Sequence, residues 1–145
     1  MTGETDRPDL PAPLDLQSLD IEAAAGEGAS FTLRHPVTDE PLVQDGRAIT
    51  ITLCGADSRR WKAMQRANLD RRLRRGRAVL KSAQIEEENI ELLAHCTRDW
   101  QGIVYGGEAL ACTEANARRL YREQSWIREQ ALQFAGERAN FLGEH

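Results

Sequence analysis

Long apolar runs are missing from this 145-residue chain, and no stretch approaches the roughly 18 apolar residues that a membrane-spanning helix needs. No basic start leads into an apolar run in the manner of a secretory signal, so a cytoplasmic chain is expected. Cysteine is scarce. Cys54, Cys96 and Cys112 are odd in number and lack the close paired spacing of a zinc site, which points to buried thiols in a reducing compartment and to no bound metal. Histidine is equally sparse: His35 precedes a proline, His95 sits beside Cys96 and His145 is the last residue. None stands in a motif with a nucleophile and an orienting carboxylate. Gly106-Gly107 lacks the lysine and the strand-to-helix setting of a phosphate loop. No catalytic residue, cofactor or metal ligand is therefore assigned, and the chain is expected not to be an enzyme. Aromatic residues make up only 6% of it, so each large ring is read as a packing anchor.

Charge is plentiful but unevenly placed. The net value of -4 conceals an acidic beginning, where Glu4, Asp6, Asp9, Asp15, Asp20, Glu22 and Glu27 face Arg7 alone and Pro8, Pro11 and Pro13 interrupt the backbone. Residues 1–29 are read as a disordered acidic arm. The length suits one compact domain after it.

Order is expected to begin near Ser30. Phe31–His35 alternates apolar and polar residues, and Ala48–Leu53 does so more clearly, placing Ile49, Ile51 and Leu53 on one face of a strand. Asp45-Gly46 supplies a turn between them, so a β-hairpin is predicted over 30–55. Gly55 ends the strand, and Asp57 or Ser58 can cap a helix. Trp61, Met64 and Asn68 or Leu69 then lie at helical spacing and can lay a stripe on the hairpin face. Gly76 marks a bend or break before Val79, Leu80 and Ala83. A second helical run carries Ile90, Leu93 and Ala94 on one face, leaves Glu86, Glu87, Glu88 and Glu91 to water or a basic partner, and ends near Thr97. Helices with a basic stripe are thus predicted over 57–96.

Asp99-Trp100 reads as the opening of a short linker, and Gly106-Gly107 as a turn. Thr113 is a plausible N-cap for the C-terminal helices, predicted over 113–142. There Ala117, Leu120 and Tyr121 share a face, and Ile127, Ala131, Phe134, Arg138 and Phe141 repeat at steps of four, three, four and three. Ser125 can cap a separate last helix. Trp61, Trp100, Trp126, Phe134 and Phe141 are the expected structural anchors, with Trp100, Trp126 and Phe134 in the core. The fold class is α+β: a small antiparallel β-hairpin packed against a mostly helical bundle.

Residues 56–81 hold ten cations against Asp57 and Asp70. Such a stripe is either a solvated face, neutralised by Glu86–Glu88 or by the acidic arm, or a surface for an anionic partner. Arg59, Arg66, Arg71, Arg72, Arg74, Arg75 and Arg77 are the candidate partner-binding residues. A protein partner and nucleic acid both remain open, the second because phosphate neutralisation is a common use of clustered arginine.

Several separated segments together resemble the tail assembly chaperones of long-tailed bacteriophages and prophages. They are Asp99–Ile103, Thr113–Tyr121, Trp126–Gln130, Phe134 and Arg138–Leu142, joined upstream by Phe31–Leu42, Ile49–Leu53 and Gly55–Ser58. Ser125 stands where many relatives carry proline before the tryptophan. The resemblance covers roughly 30–142 and implies a single chaperone-like domain that binds the tape measure protein, keeps its long helices soluble and recruits tail tube subunits. It also implies a tail-tube contact made through a frameshifted longer form in several relatives, homo-oligomers, and residence in the host cytoplasm but not in the mature virion. The alternative is a small nucleic-acid-binding module using the arginine-rich helix 59–77.

Overall fold

The computed structural model describes residues 12–76 and 81–142. In chain order, a single 3-10 turn at Leu16–Leu19 leads into α1 (Ile21–Glu27), β1 (Ala29–Thr32), β2 (Val43–Gln44), β3 (Arg47–Ala48) and β4 (Thr50–Leu53). Then come α2 (Arg59–Arg74), α3 (Ser82–Cys96), β5 (Thr97–Gln101), β6 (Val104–Tyr105), β7 (Glu108–Ala109), α4 (Glu114–Glu123), α5 (Ser125–Gly136) and α6 (Ala139–Leu142). The fold is α+β, with small antiparallel sheets against a larger helical part.

The acidic beginning is shorter as an arm than its composition suggested. Asp20 caps α1 by accepting from the Ala23 amide at 3.1 Å, and Ala25 is buried. A run of small residues, Ala23-Ala24-Ala25-Gly26, lets this helix sit close to α6 and to the Cys54-Gly55 segment despite its charged flanks, so order starts well before Ser30. Residues 1–11 of the expected arm lie outside the described residues.

β1 and β4 pair antiparallel, Phe31 opposite Ile51. The central strand is β4, because β5 pairs along its other side with Ile51 opposite Trp100. The stretch read as a linker at Asp99-Trp100 is therefore a strand, and the hairpin is a three-stranded sheet. Its sequence, Thr97-Arg98-Asp99-Trp100-Gln101, has only Trp100 to bury, which leaves no alternating apolar signature. Asp45 and Gly46, with φ of 54° and 78°, make the turn between β2 and β3, as their residue types predict.

Alternate β4 residues Ile51 and Leu53 are fully buried, and the core continues through Trp61, Ile90, Leu93, Leu120, Tyr121 and Ile127. The most extensive helix packing is α3 on α4, and α2 lies on α3 and α1; Trp61 of α2 shares the core with Ile51 and Leu53 of β4, and Met64 packs against that core. Tyr121 is wholly buried, and its hydroxyl donates to Thr97 Oγ1 at 2.7 Å, which itself donates to the Leu93 carbonyl.

The C-terminal stripe is broken. α5 ends at Gly136, so Arg138 and Phe141 do not continue its face; Arg138 is exposed, and Phe141 returns on α6. Ser125 is the first residue of α5 and makes no cap bond, though the division into two helices holds. Trp100 is buried, its Nε1 donating to the Leu110 carbonyl at 2.7 Å, whereas Trp126 and Phe134 are half-buried at the margin of the core. Phe134 stacks between Phe31 and Phe141, with ring centroids 4.9 and 5.3 Å away.

Four consecutive residues after β4 gather the chain. The amides of Cys54, Gly55 and Ala56 donate to the carbonyls of Cys96, Ala25 and Ala135 at 3.0, 3.0 and 2.9 Å, and the Asp57 carboxylate accepts from Arg138 at 2.9 Å. A side chain at Gly55 would displace a neighbour: a Cβ built there would stand 2.8 Å from the Phe141 ring, which would have to shift.

Candidate partner-binding surface

The arginine-rich segment folds as α2 because Ser58 caps it, its Oγ accepting from the Trp61 amide at 3.1 Å, and because arginine and leucine are good helix formers. Its end is set by Gly76, whose φ of 68° favours glycine. Trp61, Met64, Asn68 and Arg72, at steps of three, four and four, turn toward the body of the protein. The spacing left Asn68 and Leu69 as alternatives for the inward place, and Asn68 takes it. Leu69 is instead 43% exposed and Leu73 57%. With Lys62 and Arg66 they form an outward row at steps of four, three and four.

The candidate arginines divide by partner. Arg59 pairs with Glu22 of α1 at 3.0 Å, joined by Lys62 at 3.7 Å, so the acidic N-terminal segment offsets part of the charge on the first turn of the helix. Arg72 pairs with Glu88 at 2.9 Å. Arg71 donates to Asn68 Oδ1 at 3.0 Å and Arg74 reaches the Asp70 carbonyl at 3.4 Å. Among the described residues Arg66, Arg71, Arg74 and Arg75 have no carboxylate partner. Arg77 lies outside the described residues, as do Val79 and Leu80.

The glutamates of α3 are mostly committed elsewhere. Glu91 holds Arg118 through two hydrogen bonds of 2.8 and 3.0 Å, Glu87 holds Arg122, and Glu86 holds Arg128 at 3.0 Å. Hydrogen bonding to Glu91 raises the Arg118 pKa above its usual range. These pairs fasten α3 to α4 and α5 and leave the outer half of α2 positive.

Between α2 and α3 lies a cavity of about 160 Å³. Asn68, Arg71, Arg72 and Arg75 form one wall, and Gln84, Glu87 and Glu88 the other. Asn68 is 2% exposed, and among the described residues its Nδ2 is the one buried side-chain nitrogen or oxygen without a hydrogen-bond partner. An unsatisfied buried donor costs about 1–3 kcal/mol. The sequence marked Asn68 only as an alternative to Leu69 for the inward place, and not as a ligand-facing group.

Two histidines make local contacts. His35 Nδ1 accepts from the amides of Val37 and Thr38 in a turn, and His95 Nδ1 lies 3.8 Å from Glu114. The thiols are free; Cys54 and Cys96 are buried, and burial pushes the Cys96 thiol up to about 12. Among the described residues no group of three or more histidine, cysteine, aspartate or glutamate side chains is placed to hold a metal ion, and no helix is long and apolar enough to cross a membrane. Comparisons with protein families, curated proteins and solved structures found no match to this chain.

Proposed function

We propose that this chain is a non-enzymatic tail assembly chaperone of a long-tailed bacteriophage or prophage, acting in the host cytoplasm. It binds the tape measure protein and helps recruit tail tube subunits during tail morphogenesis. The observation that carries the reading is the outward row of α2, where Leu69 and Leu73 stand in water beside Arg66 while the neighbouring glutamates are engaged elsewhere. The segments that resemble this family supply the identity of the client.

An amphipathic client helix laid along α2 covers the two leucines and sets its acidic residues against the arginines. Electrostatics then governs encounter and apolar contact governs affinity. The magnitude is modest: full burial of a leucine is worth about 1.5–3 kcal/mol, and these two are already half covered. Each contact is therefore weak and reversible, as suits a factor displaced when the tube polymerises, and retention of a long client requires many copies.

Co-expression with the cognate tape measure protein tests the reading. Soluble, co-purifying client is expected; client that stays insoluble and unbound overturns it. A nucleic-acid-binding module is the second reading, favoured by Arg66, Arg74 and Arg75, which have no carboxylate partner among the described residues. It predicts a gel shift that weakens steeply with salt, whereas the two leucines in the second half of the row favour a protein helix.

A further inference from the structure

We infer that the cavity between α2 and α3 is a carboxylate-binding site, filled by an aspartate or glutamate side chain of the client helix. The client half of this statement rests on the function proposed above; the carboxylate half rests on the cavity alone.

The buried Asn68 Nδ2 is a donor, so its missing partner must offer an acceptor. Its orientation is held from the other end of the amide, since Arg71 Nη1 donates to Oδ1 at 3.0 Å. Arg71 has further N–H groups, and Arg75 contributes a guanidinium with no carboxylate partner among the described residues. One carboxylate satisfies this set, with one oxygen on Asn68 and the other on a guanidinium. The cavity, at about 160 Å³, is large enough for the end of an acidic side chain.

The opposite wall limits the charge of the occupant. Glu88 is neutralised by Arg72, and Glu87 by Arg122, yet both carboxylates remain at the cavity. With both glutamates paired, Arg71 and Arg75 leave two positive charges, of which a monoanion offsets one; a phosphate dianion offsets both but brings its second charge and further oxygens toward Glu87 and Glu88. The single buried donor beside a guanidinium matches the two oxygens of a carboxylate, so the site favours a protein carboxylate over phosphate.

Nuclear magnetic resonance of the full-length chain labelled with nitrogen-15 tests this, with sodium acetate, inorganic phosphate and sodium chloride added at matched ionic strength. The Asn68 side-chain amide signals, assigned by their loss in Asn68→Leu, are expected to shift saturably with acetate, less with phosphate and not with chloride. Arg75→Gln, at an exposed position, is expected to weaken acetate binding about tenfold, as loss of a charged hydrogen bond implies. No saturable acetate response, tighter binding of phosphate, or a long-lived water at Nδ2 that acetate does not displace overturns the site. Arg75→Gln keeps the test decisive should Asn68→Leu fail to fold. Client capture by wild type and Arg75→Gln alike, with no acetate response, sinks this inference and leaves the chaperone reading standing. Acetate binding without client capture supports the carboxylate site and removes the client from it.

Discussion

The side-chain amide of Gln130 on α5 brackets the backbone of Arg34: its Nε2 donates to the Arg34 carbonyl at 2.8 Å, and the Arg34 amide donates to its Oε1 at 2.9 Å. A glutamine thus stands where a neighbouring strand's peptide group would, just past the edge strand β1, and occupies one position open to intermolecular pairing. Gln130→Ala is expected to cost about 1 kcal/mol per lost hydrogen bond at most, measured by urea denaturation. It should also raise concentration-dependent association in light scattering. Unchanged stability and association would show that the bracket carries no weight.

The outward leucines of α2 separate folding from binding. Leu69→Ser and Leu73→Ser, at half-exposed positions, are each expected to cost about 1 kcal/mol of stability and to leave the protein folded, while client capture in co-expression falls. Loss of folding, read by circular dichroism, would mean that these side chains belong to the core.

Arg118 and Glu91 form a two-bonded pair in which each side chain is 29% exposed. A double-mutant cycle of Arg118→Ala and Glu91→Ala is expected to give a coupling of about 1 kcal/mol, near the upper end for such pairs and reduced by salt. Coupling near zero would leave the α3–α4 contact to its apolar side chains alone.

Asp57 and Arg138 give a pH signature. The Arg138 hydrogen bond holds the Asp57 carboxyl below its ordinary value, so the folded state favours the ionised form. That contribution is present above the unfolded carboxylate range of about pH 4 and is lost as pH falls through the lower folded value. Arg138→Ala should therefore destabilise at neutral pH and flatten the acid limb of the stability profile. A limb unchanged by this substitution argues against the linkage.

The thiols should react in sequence. Cys112 is half-buried, whereas Cys54 and Cys96 are buried and Cys96 is held near 12 by desolvation. At pH 8 only roughly one Cys96 in ten thousand is a thiolate. Native protein should titrate one thiol with a disulfide reagent at an appreciable rate, and three after denaturation. Fast labelling of Cys96 in native protein would mean that the α3–β5 junction opens readily.

Where local chemistry decides conformation, the sequence was readable. Ser58 and Thr113 cap helices, Asp45-Gly46 turns the chain and Gly76 closes α2, because each acts on its own neighbours. Features that depend on distant partners were not. β5 has no alternating pattern, and α1 gains its place from alanines that carry little periodic signal. In the candidate surface the arginines were visible, but their division into paired and unpaired members depends on which helices α3 faces. The inward turn of Asn68 and outward turn of Leu69 hinge on one residue of helical phase, which the spacing of Trp61 and Met64 left open.

The convergence at Cys54–Asp57 has a consequence for how the molecule melts. Strand end, first helix, third helix, α5 and the link from α5 to α6 are tied to four adjacent residues, so loosening any one removes a bond from the shared anchor of the others. Heating should therefore give one sharp transition across the described region, and a nick in the loop before Ser58 should abolish it entirely and not leave a stable fragment.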